Sequence, residues 1–205
     1  MTKIIPFPLD SSKKQQIRAC IENGESIAFP TETFYALGGN AFSESLVERI
    51  FEIKKRPRHK PLLLLIEPYL LPKLSAPLSA QIKNLMEQFW PGPLTLILKA
   101  HPDIPHFLLG PQNTIAVRHS NSSIVQQLLS IGKCPFIGTS ANLSQAPEAT
   151  TPSGVLSQLN DMLDLLIDGG QTPGKNVSTI VDTNTSPFQI IRTGAIPEEQ
   201  LKPYL

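Results

Sequence analysis

The chain has 205 residues, a formal net charge of +1 at pH 7 and 40% hydrophobic residues. A chain of this length buries about 70% of the surface that its unfolded form exposes, so we expect one large domain over residues 1–205. The nearly neutral charge excludes a protein that coats nucleic acid through a generally basic surface, and two cysteines are too few for a disulfide framework.

Apolar strands and amphipathic helices alternate along the chain. The strand "SIAF" comes first, followed by the helix "SESLVERIFEIKK", for which Ser43 or Ser45 is the N-cap. Next come the strand "PLLLLI", the helix "LSAQIKNLMEQF", the strands "LTLILKA" and "TIAVRH", the helix "SSIVQQLLSIG" and the strand "PFIGTS". A weaker helix, "SGVLSQLNDML", precedes the strands "LLIDGG", "STIVDT" and "QIIRTG", and the tail "IPEEQLKPYL" contains at most one short helix. This order predicts an α/β fold with helices on both faces of a mixed sheet, because no helix separates the last strands.

No segment of the sequence is typical of a membrane protein or of a secretory signal. The apolar run "PLLLLI" is far shorter than the roughly 20 residues that span a bilayer, and "MTKIIPFPLDSSKK" contains no continuous apolar core. We therefore expect a cytoplasmic protein that has no contact with a membrane.

The most unusual segment is a basic cluster, which has five of the eighteen Lys and Arg residues within the seven residues from Lys54 to Lys60. It begins where the first long helix is predicted to end, and a cation at a helix C-terminus gains about 0.3–1 kcal/mol. That effect accounts for two of these residues but not for five. Because clustered like charges destabilise a fold unless an anion binds, the cluster predicts a site for a small polyanion such as a nucleotide.

Three further segments place polar side chains after predicted strands. They are "PTETFYALGG" with Thr31, Glu32, Thr33 and Tyr35, which we predict to be a loop, "TIAVRHS" with Arg118, and "GTSANLS" with Thr139, Ser140 and Asn142. Ligands of open α/β sheets bind beyond the carboxyl ends of strands. Together with the basic cluster, the three segments predict one nucleotide pocket.

Two near-miss motifs are interpreted as turns. "GGQTPGKN" has the G-x-x-x-x-G-K core of a phosphate-binding loop, but Asn176 stands where such a loop needs Ser or Thr, and a strand follows instead of a helix. "HPDIPH" contains two histidines and an aspartate, but two prolines separate them and no third nitrogen or sulfur ligand is near.

In this order, the segments resemble the YrdC/TsaC family of threonylcarbamoyl-AMP synthases. The matching pieces run from about residue 27 to residue 196: "PTETFYALG", "KKRP…KPL", "WPGPLTLIL", "TIAVR", "TSANLSQAP", "DGG", "VSTIVD" and "IIRTGAI". The family signature, K-x-R followed later by S-x-N, is present as Lys54-Lys55-Arg56 and Ser140-Ala141-Asn142. Longer relatives carry an additional C-terminal domain, and this chain resembles the short, single-domain form.

The resemblance implies a twisted α/β sheet around a positively charged, concave pocket. It also implies a nucleotidyltransferase that condenses L-threonine, bicarbonate or CO2, and ATP into threonylcarbamoyl-AMP and releases pyrophosphate, with Mg²⁺ accompanying ATP. The product would pass to the tRNA threonylcarbamoyl transferase complex for the N6-threonylcarbamoyl modification of adenosine 37 in tRNAs that read codons beginning with A. Whether tRNA itself binds weakly to the protein stays open.

The resemblance also implies roles for individual residues. Lys54, Arg56, Ser140 and Asn142 would be catalytic, and Lys54 would cradle the triphosphate together with Arg56 and Lys60. ATP would bind to Arg56, Lys60, Thr114, Ser140, Asn142 and Arg192, and threonine to Thr33, Arg118 and Ser178. No protein ligand for a metal ion is implied. Arg118 is the natural partner of the threonine carboxylate, because a guanidinium and a carboxylate pair through two hydrogen bonds.

The chain departs from the family pattern at three places. Phe34 and Ala36 stand where the family usually has valine and glycine, and Ser120 replaces a common proline. "APEAT" replaces a serine-rich loop, so the ATP contacts of that loop are not implied here. Both signature pairs are retained.

Two alternative functions stay open from the sequence. One is an RNA-binding module without catalysis, which would use the same basic cluster; against it, aromatic residues are only 6% of the chain and none lies within the cluster to stack on bases. The other is a related synthase that acts on an amino acid other than threonine, because the sequence does not give the volume of the side-chain pocket.

Overall fold

The computed structural model describes residues 2–55 and 61–205. The strands in this part of the chain are β1 (Lys3–Pro6), β2 (Ile27–Pro30), β3 (Tyr35–Asn40), β4 (Leu63–Leu65), β5 (Leu94–Lys99), β6 (Thr114–Arg118), β7 (Phe136–Ser140), β8 (Leu165–Asp168), β9 (Thr179–Asp182) and β10 (Gln189–Arg192). The α-helices are α1 (Ser11–Glu22), α2 (Glu44–Lys54), α3 (Leu71–Leu74), α4 (Ala80–Phe89), α5 (Ser123–Gly132), α6 (Pro152–Leu159) and α7 (Glu198–Leu201). Short 3₁₀ helices span Pro68–Leu70, His106–Leu108 and Lys202–Tyr204.

The ten strands of the described residues form one twisted sheet in the order β1-β8-β2-β3-β7-β4-β6-β5-β9-β10. Strand β8 is parallel to both β1 and β2, and the pairs β4–β6 and β5–β9 are also parallel. The remaining neighbours are antiparallel. The predicted α/β fold with a mixed sheet is therefore confirmed.

Side-chain caps define the starts of the longer helices. Ser43, rather than Ser45, is the N-cap of α2, where its hydroxyl accepts a hydrogen bond from Leu46 N. Asp10, Ser79, Ser122 and Thr151 cap α1, α4, α5 and α6 in the same way. Each cap satisfies one of the backbone N–H groups that have no partner within the first helical turn.

Helices pack on one face of the sheet and cover only a part of the other face. On the first face, the apolar residues of α2, α4 and α6 pack on Leu37, Leu64 and Leu96. On the second face, α1 and α5 cover β1, β8 and β2 through Ile17, Ile21, Ile124 and Leu128, among others. The part of this second face that β4, β5, β6 and β9 form is the wall of a cavity instead.

Three elements at the N-terminal end differ from the expectation. Strand β1 and helix α1 were not predicted, and the expected loop after β2 was wrong from Tyr35 onwards, because that segment is β3. β3 pairs with β2 on one side and with β7 on the other. This pairing requires Gly38, because a Cβ there would lie 1.6 Å from the carbonyl oxygen of Ile137.

The other predicted elements are present with small differences at their ends. The weaker helix "SGVLSQLNDML" ends early, since α6 stops at Leu159, and "GGQTPGKN" has no helix after it. Both cysteine thiols are free, and burial raises their pKa, to about 11 for Cys134. Within residues 2–55 and 61–205, no helix is both long enough and apolar enough to cross a membrane.

Candidate active site

A cavity of about 410 Å³ lies on the partly uncovered face of the sheet. Alternate residues of β4, β5, β6, β7 and β9 line it, together with Ser178, which directly precedes β9. The pairs are Leu63 and Leu65, Thr95 and Ile97, Ala116 and Arg118, Gly138 and Ser140, and Ser178 and Ile180. This spacing follows from the strand geometry, since every second side chain points to the same face. The wall also includes Thr31, Thr33 and Phe34, which follow β2, together with Thr139, Glu148 and Arg192.

Several cavity residues lie where the strand-end argument placed them. Arg118, Ser140 and Arg192 are the last residues of β6, β7 and β10, and Thr33 follows the end of β2. The lining residues Thr95, Ala116 and Gly138 were not predicted. The period of two, counted backwards from Arg118 and Ser140, could have found Ala116 and Gly138, whereas Thr95 lies in β5 and follows from no such count.

The two signature motifs of the sequence are in direct contact. Lys54 is 4% exposed, and its ammonium donates to the carbonyl oxygens of Ser140 and Asn142 and to Asn142 Oδ1, the last over 2.9 Å. Asn142 Oδ1 also accepts from Ser140 Oγ over 2.7 Å. Because an ammonium has three N–H donors, Lys54 holds the S-x-N segment in place. A direct contact between Lys54 and a phosphate stays a prediction.

Arg56 and Lys60, two of the predicted ATP contacts, lie outside the described residues. Thr114, a third, is buried at the start of β6, where its hydroxyl donates to Pro111 O. Gly110 packs against both Thr114 and Pro61. Thr114 therefore lies beside the residue at which the described chain resumes after the basic cluster.

Thr33 presents a hydrogen-bond acceptor to the cavity. Its hydroxyl lies 2.9 Å from Thr31 Oγ1, and the single proton of Thr31 is donated to Phe34 O. Thr33 must therefore donate its own proton to Thr31. The lone pairs of Thr33 Oγ1 are then suited to a ligand group that donates, such as an amine or a hydroxyl.

Arg118 enters the cavity from the end of β6 as a buried, paired cation. Its Nε donates to Glu32 Oε1 over 3.2 Å, its Nη2 also contacts that oxygen, and Ser120 Oγ donates to Glu32 Oε2. The carboxylate fixes the guanidinium plane, as is typical of arginines that recognise a carboxylate. Glu32, which was predicted to lie in the pocket but without a role, and Ser120, which was not predicted to lie there, are thus the supports of Arg118.

Ser178 lies between Thr95 and Arg192. Its hydroxyl is 2.9 Å from Thr95 Oγ1 and accepts from Arg192 Nη2 over 3.1 Å. Arg192 also donates twice to the carbonyl oxygen of Ser178. A predicted threonine contact and a predicted ATP contact are therefore joined directly.

The structure thus brings most of the predicted site residues to one cavity. Thr33, Arg118, Ser140, Ser178 and Arg192 line its wall. Lys54 and Asn142 stand behind Ser140, where they shape the segment that reaches the wall. Tyr35 braces the turn after β8 by donating to Gly170 O, and burial raises its pKa to about 12.

Comparisons with known proteins assign the chain to a family. The Sua5_yciO_yrdC family model, described as "Telomere recombination", matches residues 19–194. The threonylcarbamoyl-AMP synthase of Pyrococcus abyssi is 36% identical over 89% of this chain and 54% of that protein. The synthase of Vibrio campbellii is 34% identical over 88% of this chain and 98% of that protein.

A solved structure gives the same result. The crystal structure of P. abyssi Sua5 complexed with L-threonine matches with a TM-score of 0.92 at 32% identity, and the match covers all of this chain and 61% of that one. The chain spans only about half the length of the P. abyssi synthase. The family model nevertheless covers most of the chain, which therefore belongs to the Sua5/YciO/YrdC family.

Proposed function

We propose that the chain is a threonylcarbamoyl-AMP synthase, which condenses L-threonine, bicarbonate and ATP and releases pyrophosphate. The observation that carries this proposal is that one cavity is lined both by Arg118 and Thr33, which suit an amino acid, and by Ser140 of the S-x-N signature. The names of the relatives in P. abyssi and V. campbellii support it. As a nucleotidyltransferase, the enzyme would transfer the AMP group of ATP to a carbamate.

Arg118 and Thr33 would bind the two ends of threonine. Arg118 supplies N–H donors for the carboxylate, and Glu32 keeps the guanidinium oriented before the substrate arrives. Thr33 supplies an acceptor for the amine or the hydroxyl. Ser178, the residue before β9, would contact a further oxygen of threonine. The matched P. abyssi Sua5 structure is a complex with L-threonine, which supports an amino-acid site here.

ATP would lie with its phosphates toward the S-x-N segment and the basic cluster. The Asn142 amide would donate to a phosphate oxygen, and Ser140 Oγ, whose proton is donated to Asn142 Oδ1, would accept from the water shell of the metal ion that ATP carries. Arg56 and Lys60 would neutralise the triphosphate, and Thr114 and Arg192 would complete the nucleotide contacts. We place Lys54 in the catalytic group through the support that it gives to Ser140 and Asn142. The site would then be the basic, concave pocket that the resemblance implies.

Magnesium would be held mainly by ATP. In the described part of the chain, no three His, Cys, Asp or Glu residues are grouped as a metal site, and Mg²⁺ in nucleotide enzymes is commonly bound by substrate phosphates and water. Hydroxyl and amide oxygens suit this ion, so Ser140 and Asn142 would contact its water shell. Bound Mg²⁺ would neutralise charge on the departing pyrophosphate.

The chemistry requires positioned donors more than a strong base. The neutral amine of threonine attacks bicarbonate or CO2 and gives a carbamate, with loss of water in the case of bicarbonate and of a proton from the nitrogen to solvent in the case of CO2. A carbamate oxygen then attacks the α-phosphorus of ATP, and the bond between this phosphorus and the bridging oxygen to the β-phosphate breaks. Pyrophosphate leaves with the bonding electron pair, and fixed donors stabilise this charge.

The product would serve tRNA modification. We propose that residues 1–205 act as one domain in the cytoplasm and pass threonylcarbamoyl-AMP to the tRNA threonylcarbamoyl transferase complex, for the modification of adenosine 37. One sheet that runs from β1 to β10 supports a single domain.

The test is pyrophosphate release from ATP and Mg²⁺ with bicarbonate, with and without L-threonine. Serine lacks the methyl group of threonine and valine lacks its hydroxyl, so these amino acids are the matched controls. We expect release that requires threonine and bicarbonate together. Equal pyrophosphate release with serine or valine would favour the alternative that the substrate is an amino acid other than threonine. No release with any of these amino acids, together with salt-dependent RNA binding, would favour the RNA-binding alternative.

A further inference from the structure

We propose that Thr95 is a positioning residue, which holds Ser178 in place and couples the threonine end of the cavity to Arg192. This inference rests on the proposed function, and it adds a residue for which sequence analysis gave no role. Thr95 lies in β5 opposite Ile180 of the parallel strand β9. Ile180 is two residues after Ser178 in the chain. The side chain of Thr95 points to the cavity face of the sheet.

The hydroxyl pair of Thr95 and Ser178 is buried in the wall of the cavity. Thr95 is 2% exposed and Ser178 is 4% exposed, and their oxygens are 2.9 Å apart. A buried hydroxyl that loses its hydrogen-bond partner destabilises the folded protein. Each of the two side chains therefore fixes the rotamer of the other.

The hydroxyl pair of Thr95 and Ser178 has one hydrogen-bond donor left for a ligand. The Arg192 guanidinium is only a donor, so Ser178 Oγ uses one lone pair to accept from it. The two hydroxyls have two protons, and their mutual hydrogen bond uses one. Among the hydrogen bonds of the described residues, the second proton has no acceptor, so the pair presents one donor to the cavity. A carboxylate or hydroxyl oxygen of the amino acid is the matching group.

Arg192 gives the pair its link to the nucleotide. The same guanidinium donates to both the carbonyl and the hydroxyl of Ser178, and it is a proposed ATP contact. When Arg192 donates to a phosphate instead of to the Ser178 hydroxyl, Thr95 is the described residue that still forms a hydrogen bond with this hydroxyl. Threonine affinity in the presence of nucleotide should therefore depend on the Thr95 hydroxyl.

The experiment compares six proteins by calorimetric titration with L-threonine, with and without a non-hydrolysable ATP analogue. Four of them are the wild type, Thr95→Val, which keeps the shape of the side chain without the hydroxyl, Thr95→Ser, which restores the hydroxyl, and Thr183→Val. The other two are Ser178→Ala and the double variant that combines Ser178→Ala with Thr95→Val. Thr183 is the matched control, because its hydroxyl donates to Ile97 O on the same pair of strands but has no contact with Ser178. Pyrophosphate assays on the same proteins give KM for threonine and kcat separately.

We expect Thr95→Val to weaken threonine binding about three- to tenfold, the effect of one net hydrogen bond, with a larger loss when the nucleotide analogue is present. KM for threonine should rise more than kcat falls, Thr95→Ser should restore most of the affinity, and Thr183→Val should bind as the wild type does. A Ser178→Ala variant should lose no more affinity when Thr95→Val is added, because the two hydroxyls act as one unit.

The two possible failures are distinguishable. A wild type that binds neither threonine nor the nucleotide analogue would overturn the proposed function and this inference with it. A wild type that binds both, together with a Thr95→Val variant of equal affinity and equal response to the analogue, would overturn the role of Thr95 alone. A loss that Thr95→Ser does not restore, or that Thr183→Val shares, would show a general effect on the fold and would also overturn the inference.

Discussion

Arg118 Nε donates to Glu32 Oε1 over 3.2 Å, and this pair joins the end of β6 to the loop after β2. Both side chains are largely withdrawn from solvent, with 4% of Arg118 and 14% of Glu32 exposed. Ser120, which stands where the family commonly has proline, donates to the second oxygen of the same carboxylate. The arginine proposed to recognise threonine is therefore oriented by two residues of this chain before a ligand binds.

Replacing Glu32 by Gln should both destabilise the protein and weaken threonine binding. A buried cation that loses its partner typically costs about 3–5 kcal/mol, and the guanidinium would no longer be held in one plane. Urea unfolding and calorimetric titration with threonine measure the two effects. Ser120→Ala is the control, since it removes two hydrogen bonds of one hydroxyl, to Glu32 Oε2 and from Ser122 N, each worth about 1 kcal/mol, and keeps the charge pair. Wild-type stability and affinity in Glu32→Gln would contradict this role.

Replacing Lys54 by Met should reduce turnover by about 10²–10³, as much as the loss of a key transition-state donor does, because Ser140 and Asn142 would no longer be held in place. The same loss of turnover is expected for Arg56→Ala. In Lys54→Met the melting temperature should fall as well, because Ser140 O, Asn142 O and Asn142 Oδ1 lose their shared donor. Pyrophosphate assays and thermal unfolding test this. Lys55→Ala, at the exposed neighbouring residue, should leave both quantities nearly unchanged, and normal turnover in Lys54→Met would exclude the proposed role.

Replacing Gly194 by Ala should separate Arg192 from Ser178. A Cβ at Gly194 would lie 2.2 Å from Val177 O and 2.6 Å from the carbonyl carbon of Ser178, so the backbone after β10 must move. Overpacking of this kind costs about 1–3 kcal/mol, and affinity for an ATP analogue should fall with it. Thr193→Ala changes an exposed neighbour and serves as the control. If Gly194→Ala has the stability of the wild type and its affinity for the ATP analogue, the close approach of Gly194 to Val177 and Ser178 has no functional role.

Stability should fall as the pH decreases below 6.5, in part because of His119. Burial lowers the pKa of His119 from its ordinary value of 6.5, although Glu67 and Glu32 act in the opposite direction. The unfolded chain then takes up a proton at a higher pH than the folded chain does. The stability present above pH 6.5 is therefore lost as the pH falls through the folded-state pKa.

Urea unfolding between pH 7.5 and pH 5 checks this prediction. His119→Gln should flatten the dependence, whereas His106→Gln, at an exposed residue, should not. Asp164 does not interfere in this range. Burial acts to raise its pKa, but hydrogen bonds from Ser26 and the Arg49 guanidinium outweigh burial and lower the pKa below the ordinary value of 3.8. Its contribution is lost only in more acidic solution, and an unchanged slope in His119→Gln would contradict the assignment.

The sequence by itself determined the elements with a strong apolar pattern and indicated the family. Leu46, Val47 and Ile50 lie on one face of a 3.6-residue repeat, and they form the buried stripe of α2 as predicted. The continuous apolar run in "TIAVR" is the fully buried strand β6. The order of the short motifs was enough to indicate the family, because each motif depends on local residue types and not on their spatial partners.

Only the tertiary structure decided which residues support the site. β3 is held by pairing on both sides and by the missing Cβ of Gly38, neither of which a local pattern reveals. Lys54 and Asn142 are 88 residues apart in sequence, and Thr95 and Ser178 are 83 apart. Sheet pairing and chain packing create these contacts between residues that are distant in the sequence. The sequence therefore predicted the groups that would contact a ligand, whereas the side chains that hold those groups in position are known only from the tertiary structure.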